Sequence, residues 1–344
     1  MWTALCTGCM VVMLVFATNK TIVIADVYQE QTELSVNAAA EGHGLRDTEL
    51  ILKRVYGVTG SFSVPLPKNI KAENVVIENR YMDRELWIYI QSEDTGFYEE
   101  NGIFGDTSPI QSGCSEPQED GSLLKLQMSR IMEYRSTMEG NTLTIACYEP
   151  DELYEFVVVL DPEGGGSDTG YCGQNLTEKE LTLQVARQVQ KRLTDPEVRL
   201  YLTRTEDSEV SEQEKIRLAE EVNADFYICL GVEFDEENPE NYGIGSSYNE
   251  EYFFPGFGNA NLADVVTKAV TISSSNRATG LFSAGEDSIL KALRTRGVRI
   301  SLGYLSNQKE EALLGQETYQ EKLAEGIVTA IAETCDILRE LENE

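Results

Sequence analysis

The sequence predicts an α/β fold over residues 155–341, a largely parallel twisted sheet flanked by helices. A small antiparallel β-rich domain (51–151) and an apolar N-terminal segment precede it. Three observations predict this. From Phe156 onward strand-like and helix-like segments alternate at short spacing, the order that winds a parallel sheet. The first of those strands, FVVVLDP (156–162), is a continuous apolar run, as expected where both faces are covered. Before Asp151, short runs of period two are separated by Gly, Pro, Asn and Asp, which marks antiparallel strands.

Taken in chain order, residues 1–18 (MWTALCTGCMVVMLVFAT) carry no charge and are mostly apolar. Their length falls between a signal-peptide core and a short membrane span. The expectation is export with a signal or membrane-anchor segment; a buried strand or helix is the other reading. A lipoprotein reading of Cys9 fails, because the apolar core follows that cysteine. Residues 19–50 are polar, without periodicity, and read as a stalk. Strands are expected at SFSVPL (61–66), NVVIE (74–78), ELWIYIQ (85–91), LLKLQM (123–128) and TLTIACY (142–148). Residues 92–121 have few apolar anchors and read as a long exposed loop. In the second half a helix opens at Thr177, with Glu180 three residues on completing a capping box. Then come the strand VRLYLTR (198–204), a helix over 211–222, the strand DFYICLGVEF (225–234), a helix near 260–272, the strand VRISLGYLS (298–306) and a helix over 318–341.

The chain has 28 basic against 59 acidic residues, a formal charge of −31. Such a surface repels nucleic acid and anionic headgroups, so no nucleic-acid partner is expected and no membrane contact beyond the N-terminal segment. The acids are spread along the chain and aromatics reach 8%, which favours a folded, soluble protein over disorder. Seven cysteines are scattered without a disulfide framework. Cys6 and Cys9 form a CxxC, but it lies in the apolar stretch rather than near a βαβ unit. A single Cys114–Cys147 bridge is one possibility and free thiols the other.

Six segments of the second half occur in an order that resembles the N-acetylmuramoyl-L-alanine amidase family, zinc enzymes that cut glycan from stem peptide. They are LDP with GGSDTG (160–170), NLTEKEL (175–181), YLTR (201–204), NADFYICL (223–230), GYLSN (303–307) and AEGIVTAI (324–331). The resemblance covers about 156–335 and implies an amidase-like α/β fold, a zinc cofactor and peptidoglycan as substrate. It also implies two histidine ligands, a glutamate ligand and a catalytic glutamate. Here Gly164 and Gly231 stand at the histidine positions, Glu178 keeps the ligand glutamate, and Ser301 replaces the catalytic one. Arg204 and Asp225 fall at positions that resemble its polar framework, and Asn307, after a strand end, reads as a turn or cap.

That loss is chemically decisive. Catalytic zinc takes three protein ligands and an open water position, and hydrolysis then needs a carboxylate to handle the proton. The sequence holds one histidine, His43, in the stalk. Ser301 has no neighbouring base to activate it. The expectation is therefore no catalytic residue and no zinc. Ca²⁺ or Mg²⁺ at Glu163, Glu178 and Glu233, with Cys229 or Cys172, is the alternative to reading those residues as ordinary acids. Arg299, inside the apolar strand VRISL and two residues before Ser301, is costly unless paired. Either its guanidinium pairs with Glu178 or Glu163 and takes over part of the positive role of zinc, or it lies on an edge strand in water.

Together these readings describe an exported, cell-wall-associated, amidase-like protein without catalysis. It would act in the envelope of a bacterium by binding peptidoglycan fragments or another cell-wall protein. An active amidase with an altered metal site is the alternative, and an adaptor role for the β-rich half a third reading.

Overall fold

The computed structural model describes residues 21–22, 48–285 and 287–343. The anchor expected over 1–18, and most of the stalk, lie outside the described residues. The chain divides into two compact units, Met1–Glu149 and Pro150–Glu344.

The first unit holds two sheets. One runs β1 (Thr21–Ile22), β10 (Glu133–Glu139), β11 (Thr142–Tyr148), β4 (Ser61–Pro65), β7 (Ile103–Gly105), β3 (Leu52–Arg54). The other runs β2 (Thr48–Glu49), β8 (Ile110–Gln118), β9 (Gly121–Met128), β6 (Glu85–Gln91), β5 (Val75–Arg80). Pairing is antiparallel except between β3 and β7. The alternation in β6 buries Leu86, Ile88 and Ile90 and turns Trp87 and Tyr89 outward. Leu124, Leu126, Phe62, Val64, Leu143 and Ile145 from both sheets complete one core.

Two expectations are corrected in this unit. The loop expected over 92–121 contains β7 and the nine-residue β8. In β8 only Ile110 and Ser115 are buried, so the strand has too few apolar anchors to announce itself. The stalk over 19–50 is also too long: Thr21–Ile22 pairs with Met138 and Thr137, and Thr48–Glu49 with Ser115 and Cys114. Cys147 is a free thiol, so the Cys114–Cys147 bridge does not form.

The second unit is one six-stranded sheet: β13 (Val198–Leu202), β12 (Phe156–Pro162), β14 (Phe226–Glu233), β17 (Arg296–Tyr304), β15 (Ile244–Tyr248), β16 (Ala278–Ser283). All pairs are parallel except β15 with β17. Every residue of β12 is buried, as its unbroken apolar run requires. The helices are α1 (Pro150–Leu153), α2 (Glu178–Arg192), α3 (Glu212–Glu221), α4 (Asn259–Ser274), α5 (Ser288–Ala292), α6 (Gln308–Leu314) and α7 (Glu317–Glu342). The Thr177 backbone N–H donates to Glu180 (3.2 Å), and Ser211 and Glu214 cap α3 in the same way. No helix among the described residues is long and apolar enough to cross a membrane.

Helices α4 and α7 touch at Gly326. A Cβ there would lie 2.5 Å from the Val270 Cα, so no side-chain adjustment can make room. Gly326→Ala is expected to cost about 1–3 kcal/mol through overpacking. An unchanged denaturation midpoint would show that the two helices can separate.

The parallel strands β12, β14 and β17 end on the same side of the sheet, where a fold of this kind places its cleft.

Candidate functional site

The cleft rests on two buried polar networks. Asp161, near the end of β12, accepts from the Lys215 ammonium (2.9 Å), the Tyr227 hydroxyl (2.6 Å) and the Thr203 hydroxyl (2.5 Å). A fully buried carboxylate persists only with such partners. Arg204 is 2% exposed and holds the loop that follows. Its Nε donates to the Pro162 carbonyl (2.9 Å), Nη1 to that of Glu206 (3.2 Å) and Nη2 to those of Glu163 (3.0 Å) and Lys179 (2.8 Å) and to the Thr182 hydroxyl (3.2 Å). Asp225 accepts from the Val157 N–H (2.8 Å), and Asn307 caps α6 by accepting from Lys309 (3.0 Å) and Glu310 (3.2 Å).

The structure brings Glu163, Glu178, Glu233 and Arg299 together. Arg299 pairs in register with Cys229, and Ser301 with Gly231, so both side chains share the cleft face of β17. Arg299 Nε donates to both oxygens of Glu163 (2.8 and 3.0 Å), and Nη2 lies 2.8 Å from Glu163 Oε2. Nη1 donates to Glu233 (2.9 Å), and Nη2 reaches the Val232 carbonyl (3.0 Å) and Glu178 (3.4 Å). The strand lies inside the sheet between β14 and β15, and the Arg299 side chain is 16% exposed, which removes the edge-strand reading. Burial alone would lower the guanidinium pKa, but Glu163 outweighs it and holds Arg299 above its ordinary value.

Glu178 opens α2 and is buried. Its Oε2 accepts from the Tyr171 N–H (2.9 Å) and its Oε1 from the Val232 N–H (2.8 Å), so it fastens the loop before α2 to the end of β14. Burial first, then the adjacent Glu163 carboxylate, push it up to about 7. The folded value is above the unfolded one, so the native state holds the extra proton through the window between them. Its contribution to stability is complete below that window and is lost as pH rises through about 7. The midpoint of thermal unfolding should therefore fall between pH 5 and 7 more steeply than in Glu178→Gln. Parallel profiles for the two proteins would refute it.

The remaining positions carry no imidazole or carboxylate. Gly164 has φ +76°, a backbone that side chains rarely adopt, and a Cβ there would lie 2.9 Å from Lys179 Cβ. A Cβ on Gly231 would lie 2.2 Å from Glu163 Oε2 and 2.3 Å from Arg299 Nη2. The Ser301 hydroxyl is buried and donates to the Gly303 carbonyl (3.3 Å). The Cys229 thiol donates to Glu163 (3.2 Å), and burial with the Glu163 charge pushes its pKa well up, away from the thiolate. Exposed Cys172 bonds to Thr169 (3.4 Å) on the loop before α2.

These residues do not fit zinc. Gly164 and Gly231 supply no side chain, burial and the Glu163 charge hold the Cys229 thiol away from the thiolate, and a guanidinium occupies the space between the carboxylates. A Ca²⁺ or Mg²⁺ ion meets the same obstacle. No group of three or more His, Cys, Asp or Glu among the described residues has a metal-holding arrangement.

Sequence reasoning missed two buried acids that frame the cleft. Glu310 accepts from the backbone N–H of Gly243 (3.0 Å) and Tyr304 (2.8 Å), and Glu311 from those of Asn175 (2.6 Å) and Leu176 (3.2 Å). Their position in the first turn of a helix reads as an ordinary dipole-favoured face, and only tertiary contacts reveal the burial.

Residues 158–333 match the family model described as N-acetylmuramoyl-L-alanine amidase. The uncharacterized protein YqiI of Bacillus subtilis is 27% identical over 198 residues, which are 56% of this chain and 92% of that protein. The N-acetylmuramoyl-L-alanine amidase LytC of the same organism is 23% identical over 309 residues, 85% of this chain and 61% of that protein. Among solved structures, an N-acetylmuramoyl-L-alanine amidase from Clostridium difficile aligns with a TM-score of 0.50 at 26% identity. It covers 53% of this chain and 97% of its own.

Proposed function

Because the chain belongs to the N-acetylmuramoyl-L-alanine amidase family, we propose that it works in the bacterial cell envelope as a non-hydrolytic relative, binding peptidoglycan fragments or another cell-wall protein. One observation supports the reading. Gly164, Gly231 and Ser301, where the resemblance expects two imidazoles and a carboxylate, offer none, and Arg299 lies among the neighbouring glutamates. Recognition and chemistry use different residues, so loss of one leaves the other open. The apolar 1–18 segment supports export, with the N-terminus as signal or anchor.

The test incubates the full chain with muropeptides and added zinc. No stem peptide should be released above the zinc-only blank, while the protein is retained on purified peptidoglycan. Release that disappears on dialysis against a chelator would overturn the reading in favour of an active amidase with an altered metal site. Absence of retention would move the binding role to a protein partner.

A further inference from the structure

We propose that Arg299 is a resident cation that takes over the structural work of a metal: one guanidinium from β17 ties together the end of β12, the start of α2 and the end of β14. Its partners come from three separate segments, Glu163, Glu178, and Glu233 with the Val232 carbonyl. The planar fork with five N–H donors suits this task, since it serves several carboxylate oxygens at once where a point charge would not. Three carboxylates converge here, Glu178 buried and Glu163 mostly so, and a cation among them offsets the cost of holding that charge away from water.

The geometry also makes arginine and metal alternatives rather than companions. A side chain at 231 would overlap Glu163 Oε2 and Arg299 Nη2, at 2.2 and 2.3 Å from its Cβ. Gly231 is therefore part of the device, because it leaves the volume that the ion cluster fills. The glycine, the glutamate at 163 and the arginine form one interdependent set. This inference does not depend on whether the protein cleaves muropeptides, and its test reads folding instead of turnover.

Thermal unfolding of the full chain is followed with chelator, CaCl₂, ZnCl₂ or methylguanidinium. The wild-type midpoint should be the same in all four. Arg299→Ala should melt about 10 °C lower, since breaking a buried pair leaves uncompensated charge. It should then recover about 5 °C in millimolar Ca²⁺, Zn²⁺ or methylguanidinium, each entering the vacated cradle. Should Arg299→Ala be unfolded in chelator, recovery of the folded signal on adding any of these cations is the equivalent result. Arg299→Lys keeps the charge but not the fork, and should melt between the two without responding to metal.

Three results would overturn the proposal. They are a wild-type midpoint that rises with metal or falls with chelator, an Arg299→Ala variant that melts with the wild type, and one that is destabilised but regains nothing from any cation.

Discussion

Gly231→His, which places an imidazole where the resemblance to the amidases expects one, is expected to destabilise the α/β unit by about 3–5 kcal/mol instead of building a zinc centre. The reason lies in what surrounds the new Cβ. It would stand 2.2 Å from Glu163 Oε2, 2.3 Å from Arg299 Nη2 and 2.6 Å from Arg299 Cζ. All three atoms end flexible side chains, so the backbone need not move. What must break is the ion pair, and it can only reform by swinging a charge out of a largely buried site. A histidine at Gly164 fares no better, since that residue holds φ +76° against Lys179. Adding Gly164→His should lower the midpoint further. A zinc centre with both imidazoles therefore needs a triple change that also removes Arg299. Zinc content after gel filtration, read beside the unfolding midpoint, decides the matter. One zinc per chain in folded Gly231→His would show that the cluster yields easily.

The contrast between strands and site explains how far the sequence could be read. β12, β14 and β17 announce themselves because burial on both faces forces long apolar runs, and α2 because Thr177 and Glu180 satisfy its first backbone donors. The strands that escaped are polar or short. β10 is EYRSTME, and β15 and β16 carry Gly, Ser and Thr. Their pairing comes from neighbours, not from their own pattern. At the site, Arg299 was legible from the cost of a charge in an apolar strand. Its partners were only partly so. Glu163, Glu178 and Glu233 are separated from it by 136, 121 and 66 residues, and nothing local fixes which of them a guanidinium reaches. That Val232 contributes a carbonyl to Arg299 and an N–H to Glu178 follows from the strand's exact register, which hydrophobic patterning does not specify at single-atom level.

Arg204→Met should cost about as much as Gly231→His, on the order of 3–5 kcal/mol, although it touches none of the four clustered charges. Methionine keeps much of the apolar bulk, so the loss isolates the guanidinium. Its removal takes a donor from the carbonyls of Pro162, Glu163, Lys179 and Glu206, of which Glu163 and Lys179 keep the Thr182 hydroxyl. A buried acceptor without a partner costs about 1–3 kcal/mol, and partial relaxation of the loop keeps the sum below four full penalties. Exposed Arg187, which donates to the Thr205 carbonyl, is the control and should leave the midpoint near wild type on truncation to alanine. Arg204 also fixes the backbone of Glu163, the residue that Arg299 grips most closely. Arg204→Met and Arg299→Ala should therefore be non-additive in a double-mutant cycle, with a coupling of about 1 kcal/mol or more. Independent effects would mean that the loop after β12 is held without Arg204, and that the ion cluster orders itself.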